Sequence, residues 1–202
     1  MKTSHVFEQC SPLDVFLAKQ RYKTAIKKIS SAKKTGRILD IGCGCYPFFL
    51  TVINFSEKFG LDKNIEPDAV NEMKKQGIVL INHYIEKEEK LPFTDNSFDV
   101  VSMLAVFEHI DPKLLVRIHK EINRILKPGG LYVMTTPAFW TDGLLKFLAK
   151  LRLINGDSIS EHKGSYNLSS ISSVLQAAGF SKENLRLGHF ELFMNNWATA
   201  VK

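Results

Sequence analysis

Four places along the chain carry residues whose types and spacing suit chemistry. The first is Asp40-Ile41-Gly42-Cys43-Gly44-Cys45-Tyr46-Pro47, a carboxylate followed by a glycine turn. Glycine lets a backbone turn sharply and approach a ligand with no Cβ in the way. The second is Asp62, 20 residues beyond Gly42, where a carboxylate can accept hydrogen bonds from both hydroxyls of a ribose. Together they predict an adenosine-type ligand. Pro47 argues against a dinucleotide. It stands where G-x-G-x-x-G has its third glycine, and there it removes an amide and adds a ring at a helix start that a pyrophosphate needs. The third and fourth places are Glu108-His109 and His162; an imidazole can take up or release a proton near neutral pH.

No metal is expected. A metal site needs three or four ligands in defined geometry, and the sequence offers Glu108-His109 no evident companion set. Cys43-x-Cys45 has no partner pair, and small buried side chains account for it better.

These residues must be positioned by strands. Arg37–Ile41 reads as a short buried strand, Lys58–Asp62 as a second and Ile78–Ile85 as a third. Phe98–Ala105 and Leu131–Thr136 read as a fourth and fifth. Helices are predicted over Pro12–Ser31, from Pro47 to about Phe55, and over Pro67–Gln76, Pro112–Leu126 and Ser169–Ala178. In Pro112–Leu126, Leu115, Ile118, Ile122 and Ile125 make one apolar stripe opposite Arg117, Lys120, Glu121 and Arg124. Such alternation implies an α/β fold, a doubly wound and mainly parallel sheet with helices on both faces. Two last strands, near Leu185–His189 and Leu192–Ala200, are expected as an antiparallel hairpin on its edge. In an open parallel sheet the ligand lies at the carboxyl ends of the strands, and each place singled out above follows a strand.

The chain has 202 residues, 45% hydrophobic and 24% charged, enough for a single domain spanning 1–202 with its own core and ordinary enough to exclude a disordered or repetitive protein. No apolar run approaches the ~20 residues of a membrane-spanning helix. The start Met1-Lys2-Thr3-Ser4-His5 lacks the apolar core of a signal peptide, and three cysteines suit a reducing compartment, so a cytoplasmic location is expected. The net charge is +6, but residues 1–37 alone hold nine Lys/Arg against two acidic groups, a balance of +7. The basic character belongs to the N-terminal helical segment, 1–36, which could face phosphates or an anionic membrane surface or simply be solvated.

From Ile38-Leu39-Asp40-Ile41-Gly42-Cys43-Gly44 through Gly60-Leu61-Asp62, Leu91-Pro92-Phe93, Asn96-Ser97-Phe98-Asp99-Val100-Val101 and Glu108-His109 to Arg124-Ile125-Leu126-Lys127-Pro128-Gly129-Gly130, the sequence resembles class I S-adenosylmethionine-dependent methyltransferases of the type found in ubiquinone and menaquinone biosynthesis. The resemblance covers residues 37–136, which it marks as the cofactor-binding core. It implies a three-layer fold with a seven-stranded sheet and S-adenosylmethionine as cofactor, with S-adenosylhomocysteine as product. By the resemblance, Asp40, Gly42 and Gly44 cradle the methionine end, Asp62 grips the ribose, and the backbone of Leu104 and Ala105 borders the methionine moiety. The position that reads adenine in such proteins is Tyr84 here, so adenine is expected on backbone near Ile85 or stacked on Tyr84. His109 and His162 are the candidate proton acceptors.

Clues to the acceptor come from residues 138–155, far more apolar than a loop needs to be. Leu144, Leu145, Leu148 and Leu151 would share a helical face, as a lid over an apolar acceptor, a lipid-touching helix, or a packing or dimer surface. The expected partner is a small or lipophilic molecule, quinone-, lipid- or glycan-like, with peripheral membrane contact as one option. An RNA acceptor is the rival, not favoured because no aromatic-interleaved basic motif is visible. A noncatalytic cofactor-binding subunit is the second alternative.

Overall fold

The computed structural model describes residues 12–141, 143, 150 and 162–202. Its seven strands are β1 (Arg37–Ile41), β2 (Glu57–Asp62), β3 (Ile78–Asn82), β4 (Phe98–Leu104), β5 (Leu126–Pro137), β6 (Leu185–Phe190) and β7 (Asn195–Val201). They form one sheet in the order β3-β2-β1-β4-β5-β7-β6. The first five strands are parallel, and β7 runs antiparallel to both β5 and β6. The doubly wound seven-stranded sheet expected from the sequence is present. Order reverses beside β1 and β4, and the crevice for a ligand opens at such a switch point.

Alternation along the strands sorts the core into two layers. Leu39, Val101, Met103, Tyr132 and Met134 face one cluster, covered by α4 (Leu115–Ile125) and α5 (Leu168–Ala177). Ile38, Val100, Leu131 and Val133 face the other, with Ala25 and Ile29 at the C-terminal end of α1 (Pro12–Lys28), Phe49 and Leu50 of α2 (Phe48–Val52), and Met73 of α3 (Pro67–Lys75). The stripe predicted on α4 is buried as expected, but His119 is buried with it. Its Nδ1–H donates to the Leu115 carbonyl at 2.7 Å, which leaves Nε2 to accept from the Tyr132 hydroxyl at 3.0 Å. Burial holds the imidazole down at about 4, so it is neutral.

Several boundaries differ from the sequence reading, each for a local reason. β3 stops at Asn82 instead of Ile85, because the amides of Lys87 and Glu88 both turn back to the Tyr84 carbonyl. β5 starts at Leu126, not Leu131: Leu126 pairs with Phe98, and the register slips before Val100 pairs with Leu131. The slip accommodates Lys127-Pro128-Gly129-Gly130, with Gly129 at φ +72°. α4 begins at Leu115 because the Asp111 carboxylate accepts the Lys113 amide and its carbonyl accepts that of Leu114. β7 starts at Asn195, since Glu191, Leu192 and Phe193 all adopt left-handed backbone. The apolar insertion expected over 138–155, apart from residues 138–141, 143 and 150, lies outside the described residues. Among the described residues no helix is long and apolar enough to cross a membrane.

Candidate active site

A cavity of about 360 Å³ opens at the carboxyl ends of β1, β2 and β4, within the range of small-molecule sites. Its wall includes Gly42, Gly44, Asp62, Tyr84, Ile85, Ala105 and His109, each singled out from the sequence. The backbone of this wall is tightly specified. Gly42 and Gly44 have φ of +73° and +74°, which only glycine adopts without strain. A Cβ on Gly42 would collide with the Val106 side chain, itself part of the wall, whereas one on Gly44 would meet nothing nearer than 4.0 Å. Asp62 holds the turn in place: its Oδ2 accepts the Gly44 amide at 2.9 Å and its Oδ1 the Asn64 amide at 3.0 Å. Ala105 leaves β4 at φ +56°, a costly conformation for alanine, fixed by its amide bonding the Thr135 carbonyl at 2.9 Å.

Tyr84 and Ile85 stand on a segment strapped from behind. The guanidinium of Arg117 on α4 donates to the carbonyls of Ile85 and Glu86 at 2.9 and 3.2 Å and also reaches those of Glu88 and Glu89. Glu86 accepts the Asp111 amide at 2.8 Å and the Lys163 ammonium at 2.8 Å. Burial pushes the Glu86 carboxyl up, but the Lys163 hydrogen bond, the Asp111 amide and the Lys163 charge bring it below its ordinary range. Arg124 does the same for the next segment, pairing with Glu121 and Asp95 and donating to the carbonyls of Phe93 and Leu91.

Lys163 also brings in the second imidazole. Its amide and that of Gly164 donate to the Glu108 carbonyl at 2.8 and 3.2 Å. The chain returning at residue 162 therefore lies against the turn Phe107–His109, with the rings of His109 and His162 centred 5.0 Å apart. Glu108 is buried and accepts the Thr136 hydroxyl at 2.9 Å. His109 Nδ1 is buried with no hydrogen-bond partner. Glu108, His109 and His162 each offer a donor atom within 4.8 Å of the others. One carboxylate and two imidazoles suit a proton relay, and they equally suit a borderline divalent cation such as zinc. The companion that the sequence did not supply for Glu108-His109 is His162.

Residues 39–134 match the family model described as a methyltransferase domain. Over 154 residues the chain is 29% identical to the sterol 24-C-methyltransferase ERG6B of Gibberella zeae, covering 71% of this chain and 39% of that protein. It is 26% identical over 133 residues to the demethylmenaquinone methyltransferase of Bacillus pumilus, covering 63% and 56%. The chain thus spans about half or less of the length of these relatives. A SAM-dependent methyltransferase from Archaeoglobus fulgidus has the same fold, with a TM-score of 0.66 over 92% of this chain and 93% of that one at 18% identity. Residues 39–134 thus carry a methyltransferase domain, set in the fold that this S-adenosylmethionine-dependent methyltransferase shares.

S-adenosylmethionine is the cofactor of these methyltransferases, and the wall suits it. The Asp62 oxygens keep lone pairs beyond the two amides, enough for ribose hydroxyls, and the Cβ position of Gly44 is open. Two residues predicted for the cofactor send their side chains away from the wall. Leu104 packs with the α1 side of the core, leaving Ala105 to line the cavity. Asp40 is buried on the strand face, where its Oδ1 accepts the Ser102 hydroxyl at 2.7 Å. Burial pushes the Asp40 carboxyl up to about 7, against the Ser102 hydrogen bond and with the nearby Asp62 charge adding to the rise. Cys43 is buried behind the turn and its thiol is pushed up by burial, in keeping with a packing role. Lys63, His83, Glu86, Val106 and Ile110 also line the cavity and were not singled out. Lys63 and His83 each directly follow a strand, the one available signal; Glu86 carries none.

Proposed function

We propose that this methyltransferase transfers the methyl group of S-adenosylmethionine to a small apolar acceptor, quinone- or sterol-like in character. The observation that carries the reading is the meeting, in one cavity, of the glycine turn and Asp62 with His109, which His162 approaches from outside the wall. The curated relatives named for sterol and demethylmenaquinone methylation support the acceptor class. When bound, S-adenosylmethionine supplies an activated methyl group, transferred in line as its carbon–sulfur bond breaks to leave S-adenosylhomocysteine.

The chain's own residues then have two tasks. Asp62, Gly42, Gly44 and the Tyr84–Ile85 segment hold the donor in one orientation, and fixed orientation supplies much of the acceleration. His109, whose ring lines the cavity, takes the acceptor's proton, and His162 beside it accepts or passes on that charge. Glu108, anchored by Thr136, stabilises the resulting imidazolium. The Glu108–His109–His162 donor set favours a second reading, in which a divalent cation there binds and acidifies an acceptor hydroxyl.

The test is transfer of labelled methyl groups from S-adenosylmethionine into quinone, sterol, phospholipid and RNA fractions. Label is expected in an apolar fraction, with about 10²–10⁴-fold less in His109→Gln and activity that survives chelators. Loss of activity on chelation, restored by zinc or manganese, would replace the relay by the metal reading. Cofactor binding without label in any fraction would leave the noncatalytic alternative.

A further inference from the structure

The turn between β6 and β7 presents apolar side chains to solvent, with only the edge contact of the Phe193 ring on His189, centroids 5.4 Å apart, recorded against them among the described residues. Leu192 is 87% exposed and Phe193 66% exposed, and both, with Glu191, hold left-handed backbone at φ +53°, +67° and +52°. Three consecutive non-glycine residues in that region cost about 1 kcal/mol or more each. Glycine, asparagine or aspartate would relieve the strain and keep the tip polar. The stem is nevertheless firmly held. The Met194 amide bonds the Glu191 carbonyl, and the Ala138 amide bonds the Met194 carbonyl at 2.9 Å.

That second bond sets the tip beside the end of β5, where Phe139 and Trp140 are 58% and 49% exposed. Because β7 is antiparallel to β5, with Asn195 opposite Pro137, this apolar group lies at the carboxyl end of the sheet, the same end as the cavity. Basic α1 reaches the same end. Lys33 bonds the Gly129 carbonyl at the far end of β5, Lys28 lies over the Trp197 ring, and the Arg21 charge acts on Glu191. The helix therefore runs antiparallel to β5, and its N-terminal half, with exposed Phe16 and Lys19, extends toward the tip. Lys19, Lys23 and Lys27 are exposed at intervals of one turn, and α1 holds five Lys or Arg against Asp14 alone.

We propose that this end of the molecule docks on an anionic lipid surface, with Leu192 and Phe193 entering the headgroup layer and the α1 lysines facing its charge. Apolar side chains on a rigid protrusion, flanked by cations, match an interface that is apolar within and negative at its surface. Docking there sets the cavity's end of the sheet against the layer that dissolves an apolar acceptor. The inference rests on the apolar-acceptor reading for its purpose and not for its test.

The full chain is sedimented with phosphatidylcholine vesicles and with vesicles containing about a third phosphatidylglycerol, at low and high salt. Binding is expected to the anionic vesicles, weakening with salt. The double variant Leu192→Gly, Phe193→Gly should lose about tenfold or more in vesicle binding. It should keep its S-adenosylmethionine affinity and melt at the same or a higher temperature, because glycine relieves the left-handed strain. Lys19→Glu with Lys23→Glu should lose anionic binding but little of the residual neutral binding. Equal binding of wild type and the glycine variant, or no preference for anionic vesicles, overturns the proposal. So does a concentration-dependent dimer that the glycine variant abolishes, since the tip would then meet a second copy. Vesicle binding without methyl transfer would sink only the proposed activity, and transfer without vesicle binding only this docking surface.

Discussion

The two sides of the cavity are built on different terms. On the β1–β2–β3 side the backbone turns are closed by named hydrogen bonds: Asp62 to Gly44 and Asn64, Arg117 to the Ile85 and Glu86 carbonyls. On the β5–β7 side, buried polar atoms are left over. Among the described residues His109 Nδ1 at the wall, and Thr135 Oγ1, Tyr166 Oη and Asn196 Oδ1 behind it, have no hydrogen-bond partner, as His83 Nε2 has none on the first side. Buried polar groups without partners are few in native proteins and cost about 1–3 kcal/mol each. A side that satisfies its own polar groups is preorganised for one ligand.

The sharpest attack on this contrast is Asp62→Ala. It removes a ribose partner and the anchor of the glycine turn together, so S-adenosylmethionine affinity by calorimetry should fall about ten- to a hundredfold, on the order of 1.5–3 kcal/mol. Unchanged affinity would mean that the first side is not the cofactor side. The glycines should separate next. Gly42→Ala combines left-handed strain with a collision at Val106 and should lower stability by about 2 kcal/mol or more. Gly44→Ala carries the strain alone, about 1 kcal/mol. Gly44→Val should fold yet bind the cofactor poorly, read by circular dichroism and titration. Equal losses of stability in the two alanine variants would show that Val106 yields easily.

Two buried groups sharpen the comparison through pH. His119 is lowered to about 4 in the fold from an ordinary value of 6.5, so the unfolded chain binds its proton more tightly and stability falls as pH drops from about 6.5 toward 4. Asp40 is raised from 3.8 to about 7, so its contribution is full below 3.8 and is lost as pH rises through 7. Between pH 4 and 6.5 the two slopes oppose, and urea midpoints of the parent should change little there. His119→Gln should leave a protein that loses stability as pH rises. Asp40→Asn should leave one that loses stability as pH falls and be the more stable at pH 8. Parallel profiles for both variants would discard this account. The smallest effect is expected from Lys163→Met. Its pair with Glu86 is half exposed and worth less than about 1 kcal/mol of stability. Freeing the strap that carries His162 should lower transfer several-fold while S-adenosylmethionine affinity holds.

Reading the sequence found the strands and the turns after them because both are local. Glycine at positive φ, a carboxylate just past a strand and alternation of apolar residues each leave a mark within a few positions. It could not find what depends on partners far along the chain. His119 reads as one more polar residue on α4, and only the position of Tyr132, on β5, makes it a core residue. Arg117 was placed on the exposed face by periodicity, yet its guanidinium folds back onto carbonyls some 30 residues earlier. Asp40 and Leu104 belong to the ligand motifs, but strand alternation turns both side chains toward the core face, leaving the Leu104 backbone beside the cavity-lining Ala105.

What the sequence determined by itself is the α/β alternation, the glycine turn and a carboxylate at the end of β2, since these follow from backbone sterics and residue spacing. What the tertiary structure decided is the company each group keeps. His162 lies 53 residues beyond His109, and no local rule joins them; the Lys163 and Gly164 amides on the Glu108 carbonyl do. The exposed tip at Leu192 and Phe193 is of the same kind. In sequence those residues read as the start of a strand. Only the antiparallel pairing of β7 with β5, and the direction of α1 across it, turn them into an apolar edge beside the cavity's end of the sheet.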